Sequence, residues 1–191
     1  MRVREHTILL VAIVLIGSCS LAVSAQADET APAKPASHTV RQMEGWMVRV
    51  DDRLLSPPHD KLGESATRML AARLADIAMV LPPERLKTLR SYTIVLDLTH
   101  GELRSMQYHP SVRWLESNGY PPDLARCVHI PDARRFVRSR QVNEQPWAVL
   151  HELAHAFHDQ ELGFNDRRVM DAFRNFKNSG HGDATLLYNG K

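Results

Sequence analysis

Cysteine, aromatic residues and net charge are all scarce here: two Cys, 6% aromatics and a formal charge of +2 in 191 residues. Each scarcity removes a class. Two cysteines cannot build a disulfide framework or a zinc ribbon. A near-balanced charge gives no electrostatic case for binding nucleic acid. No internal repeat is present, which excludes solenoids and propellers. What is there, 43% hydrophobic and 24% charged residues, is the make-up of a globular protein, and the length suits one domain.

The first 27 residues differ from the rest. Arg2 and Arg4 supply a basic start, "ILLVAIVLIG" is an uncharged apolar run, and "AQA" at Ala25–Ala27 offers small residues for a signal peptidase. This layout predicts a secretory signal cleaved before Asp28, hence export to a periplasm or the extracellular space. An uncleaved anchor over Thr7–Gln26 is the alternative, and a lipid attached at Cys19 in "IGSC" is a third. Either alternative would put the chain at a membrane. Removal of the signal leaves Cys127 as the one thiol, read as a small buried hydrophobe. Residues 28–37 are Ala/Pro-rich and polar and read as a linker, leaving 38–191 as the domain.

Within that domain "WMVRV" reads as a strand and "SPPHD" as a turn. Leu62, Met69, Leu70, Leu74 and Ile77 recur at helical spacing before Pro82-Pro83 ends the helix, and "ERLKTLR" adds a short one. "YTIVLDL" and "RCVHI" read as strands, and a short helix before Gly119 lies between them. "DARRFVRSR" reads as a solvated basic helix face. Strands and helices in this order predict an α+β fold with a small sheet.

The stretch "NEQPWAVLHELAHAFHDQELG" predicts a helix, with Asn143 or Gln145 as cap, Pro146 in the first turn and Gly163 after the last. At about 100° per residue, His151, His155 and His158 share one stripe, with Glu152 and Asp159 beside it. The remaining residues are so apolar that the helix is expected to be buried nearly all round, its stripe facing a cleft. His151 and His155 lie one turn apart, so both imidazoles reach a single Zn2+. Glu152 falls beside the open coordination position, placed to take a proton from a water there. From this chain's His and Glu frequencies the pattern arises by accident in roughly 3% of such sequences.

"HELAHA" at His151–Ala156 resembles the active-site helix of zincin metallopeptidases. With "MEGW" and "QPWAVLHELAHAFHDQELGF", the chain is similar to secreted bacterial zinc peptidases of gluzincin-like plan. The resemblance implies a zincin-like α+β fold, a small mixed sheet packed on the HExxH helix, and a peptide or protein substrate. It also implies His151 and His155 as zinc ligands and Glu152 as general base. By the same analogy "RCVHI" is expected to be the sheet edge along the cleft.

The third ligand departs from the pattern. The metzincin spacing would need Gly at His158 and His at Glu161. His158 lies about 10 Å along the axis from His151, too far to share its ion. A gluzincin would use a Glu on a later helix, but no Glu follows Glu161. A last helix, "DRRVMDAFRNFKN", carries an apolar stripe of Val169, Met170, Phe173 and Phe176, and "TLLYNGK" reads as a strand entering a turn. Two expectations follow. Either a closing strand and the third ligand lie beyond Lys191, or His181 or Asp183 completes the site, with Asp166 and Asp171 as weaker candidates. The competing reading is a zincin remnant or binding module without the chemistry.

Overall fold

A computed structural model describes residues 33–181, all within one compact unit, Ala31–Lys191. The expected signal, Cys19, Asp183 and "TLLYNGK" lie outside the described residues. The end of the expected linker is fastened to the domain. Ala33 O accepts from Thr99 Oγ1 at 2.8 Å, and Lys34 lies over the Tyr120 ring.

β1 (His38–Met43) and β2 (Trp46–Asp51) form an antiparallel hairpin. Its two-residue turn puts Glu44 at φ 50° and Gly45 at φ 90°, the left-handed pair such a turn needs. β1 escapes a hydrophobic-pattern reading because its central residues are exposed. α1 (Asp60–Val80) follows, and then α2 (Pro83–Leu89). The buried residues of α1 are Gly63, Ala66, Leu70, Leu74 and Ile77, the spacing of one helix face. Leu81 is extended because Pro82 disfavours a helical residue before it.

β3 (Ile94–Leu96), β4 (Gln107–Tyr108) and β5 (Val128–Ile130) complete a mixed sheet of order β1-β2-β3-β5-β4. β2, β3 and β5 are parallel, with Ile94 opposite Val48 and Val128. β1 and β4 pair antiparallel at the two edges. The expected α+β class and small mixed sheet are therefore present.

Alternation gives the sheet two different faces. Val48, Val50, Ile94, Leu96, Val128 and Ile130 point to the main core, under α1 and the HExxH helix. Val95 points the other way, into a smaller cluster with Leu115, Leu124 and Cys127, covered by α3 (Val112–Ser117). Cys127 is buried, as read from the sequence, and burial pushes its thiol pKa up.

α4 (Ala133–Phe136) and α5 (Ser139–Glu144) lead to α6 (Ala148–Phe157), the HExxH helix, and α7 (Arg167–Asn178) follows. Three expectations are corrected here. α6 begins after Pro146, with Trp147 at the cap position and no side-chain cap, because Asn143 belongs to α5. α6 is not buried all round: Val149, Leu153 and Ala156 are its buried stripe, while His151, Ala154 and His155 are exposed. It lies on one sheet face. Finally, "RCVHI" is not an edge. β5 sits between β3 and β4, with Val128 N–H donating to Thr93 O, and β4 is the edge strand. Among the described residues no helix is long and apolar enough to cross a membrane.

Candidate metal centre

Side chains one turn apart on α6 meet as the spacing requires. The Nε2 atoms of His151 and His155 lie 3.1 Å apart, and their rings stand perpendicular with centroids at 4.6 Å. Two ligands on a tetrahedral zinc with bonds near 2.0–2.1 Å are about 3.3 Å apart, so this pair fits one ion. Both rings are exposed, which leaves the ion's outer positions reachable.

Glu152 points to the side, half-buried, and Oε2 accepts the Tyr108 N–H at 2.8 Å. That bond follows from strand geometry. The neighbouring His109 exchanges backbone hydrogen bonds with Arg126 and Cys127, so Tyr108 N–H faces away from β5, over the open edge of β4. The carboxylate is thus anchored by one oxygen. Tyr108 OH continues the link, donating to Asp159 Oδ2 at 2.6 Å. Burial, with Asp159 beside it, raises the Tyr108 phenol. Tyr92 does the same with Glu161 at 3.3 Å, and burial followed by that carboxylate pushes it up to about 12. These two tyrosines tie the sheet side of the domain to the end of α6, where the chain widens into a π-helical turn at His158–Leu162. A cavity of about 730 Å³ opens beside His151 and Glu152, with Ile130, Phe136, Pro146 and Trp147 among its walls.

Other sequence candidates sit elsewhere. His158 packs edge-on against Phe164 with centroids at 5.3 Å. His181 is exposed, with Nδ1 2.9 Å from Ser179 Oγ. Asp166 caps α7 and binds Arg168, and Asp171 lies between Arg167 and Arg174. Among the described residues no third His, Cys, Asp or Glu joins His151 and His155 within ligand reach.

The opposite sheet face holds a group the sequence reading missed. Asp97, His100 and His129 are buried and could hold a metal ion. His100 Nδ1 and His129 Nε2 lie 2.6 and 2.8 Å from Asp97 Oδ2, and His38 Nε2 lies 2.7 Å from Oδ1. His109 Nε2 stands 3.1 Å from His129 Nδ1. Burial pushes the Asp97 carboxyl up, but hydrogen bonds from three imidazoles outweigh it and hold the group well below the usual carboxylate range. Burial lowers His129 despite Asp97, and lowers His109 to about 4. The signal was present in "YTIVLDLTH" and "RCVHI". A lone Asp or His in an otherwise apolar, buried strand has to find polar partners on its own face.

No protein-family model, no curated protein and no solved structure matches this chain.

Proposed function

We propose that this chain is a zinc-dependent metallopeptidase that hydrolyses peptide bonds, with His151 and His155 as zinc ligands and Glu152 as general base. The observation that carries this reading is the convergence of the two Nε2 atoms at 3.1 Å beside a carboxylate held on the sheet edge. Zinc, when bound, supplies a Lewis acid that lowers the pKa of a water and polarises a carbonyl. The chain's own residues do the rest. The imidazoles hold the ion with their Nε2 atoms. Glu152, fixed through Oε2 to Tyr108 N–H, has its other oxygen to accept a proton from the attacking water and pass it to the leaving nitrogen. β4 is the edge strand and borders Glu152, so an extended peptide can lie along it beside the Tyr108 N–H that Glu152 holds. The cavity beside His151 then receives a substrate side chain. The N-terminal sequence supports action outside the cytoplasm.

The test is direct. His151→Ala and His155→Ala should each lower bound zinc by one equivalent per chain and abolish cleavage of a peptide library. Unchanged zinc content in both variants would remove the site.

A second reading is favoured by a specific observation: among the described residues the histidine pair has no third protein ligand. On that reading the chain is a remnant or binding module. Zinc-loaded protein that cleaves no peptide in the library supports it against the first.

A further inference from the structure

We propose that Asp97, His100 and His129 form a second, structural binding site for a late first-row divalent cation, zinc foremost, on the sheet face opposite α6. This inference is independent of the peptidase reading.

Asp97 is fully buried, and among the described residues its side-chain hydrogen-bonding partners are the imidazoles of His38, His100 and His129, with no guanidinium or ammonium. The neighbouring buried Asp51 is met instead by Arg53, which binds both of its oxygens. Imidazole nitrogens converging on a buried carboxylate are the donors a late first-row divalent cation takes.

Asp97 Oδ2, His100 Nδ1 and His129 Nε2 all lie within 4.8 Å of one another. The separations of 2.6 and 2.8 Å from Oδ2 are those of hydrogen bonds, shorter than the roughly 3.3 Å between ligands on tetrahedral zinc. An ion therefore enters by replacing the two N–H donors, and each imidazole withdraws by about half an ångström.

Metal-bound carboxylates and imidazoles need their remaining atoms held by neighbours. Asp97 Oδ1 already receives His38 Nε2, and His129 Nδ1 already faces His109 Nε2. The protons balance without release. His129 moves its proton from Nε2 to Nδ1, and His109 moves its own from Nε2 to Nδ1 so that His109 Nε2 becomes the acceptor. His100 moves its proton from Nδ1 to Nε2, a buried nitrogen with no hydrogen-bond partner among the described residues, so of the three ligands His100 alone lacks an outer acceptor. Two imidazoles and one carboxylate, from β5 and the segment after β3, form a donor set suited to zinc and its neighbours.

The experiment uses the full chain carrying His151→Ala and His155→Ala, two exposed positions whose loss empties the cleft site while sparing the core. After zinc loading and removal of excess metal, this double variant should retain one equivalent. Zinc-edge X-ray absorption should count two imidazoles and a carboxylate oxygen. Adding His100→Gln should release the ion while circular dichroism stays unchanged. No retained zinc in the double variant overturns the site, as does a ligand set lacking imidazole. If the His100→Gln variant does not fold, the absorption spectrum of the double variant still decides. Loss of peptidase activity alone has no bearing on this site, so the two readings fail separately.

Discussion

In the proposed peptidase Glu152 is the general base, and its hydrogen bond to Tyr108 N–H limits where its free oxygen can go. Glu152→Gln keeps an acceptor for that N–H but cannot take a proton. Zinc content should stay at the wild-type level and kcat should fall by roughly a hundred- to ten-thousand-fold. Near-wild-type kcat would take Glu152 out of the mechanism. Asp166 makes a different single-residue prediction. Arg168, helped by the backbone N–H groups of Arg168 and Val169, lowers its carboxyl to about 2. A carboxyl lowered on folding stabilises above its unfolded value near 3.8 and loses that contribution as pH falls through the folded value. The first turn of α7 should therefore be fully protected above about pH 4 and lose that protection progressively as pH falls toward 2, read by amide exchange at Arg168 and Val169. Fraying that is already complete at pH 4 would show that the cap does not hold the turn.

Among the elements, α1 and α6 carry the packing, and both were legible in the sequence because apolar side chains repeat at helical spacing. What periodicity cannot show is how close two backbones come. Gly63 lies in the first turn of α1, where an added Cβ would stand 1.8 Å from Leu54 O. Glycine in a helix is ordinarily about 1 kcal/mol worse than alanine. Here Gly63→Ala should lower the melting temperature, because backbone, and not a flexible side chain, must move. A raised melting temperature would mean that Leu54 yields freely. On α6, Leu153 is fully buried, and Leu153→Ala should cost about 2–5 kcal/mol in denaturant unfolding. A loss below about 1 kcal/mol would contradict the packing described. The hairpin and the edge position of β4 escaped the sequence reading for a related reason. β1 is exposed on most of its length and β4 is two residues long, so neither has a pattern to read.

For the molecule as a whole, the HExxH site was legible because its spacing lies within one helix, which fixes distance without knowledge of the fold. The Asp97 group was not, because its members are joined only when β3 and β5 pair in parallel and β1 brings His38 across. Zinc should stabilise the wild-type chain by mass action, by about 2.7 kcal/mol at a hundredfold excess over Kd, read as a rise in melting temperature. Glu152→Gln should show the same rise, since it removes no ligand. A smaller rise would mean that Glu152 helps hold the ion. β5 also guards the fidelity of folding. Its three residues alternate Val128, His129, Ile130, two aliphatic side chains to the main core and one imidazole to Asp97. A slip of one residue against β3 would drive the imidazole into hydrocarbon beneath α6 and press a branched aliphatic chain against the carboxylate. Both halves of that exchange are penalised, so a strand too short to be specified by length acts as its own key. His129 rejects the wrong pairing as firmly as Val128 and Ile130 reward the right one.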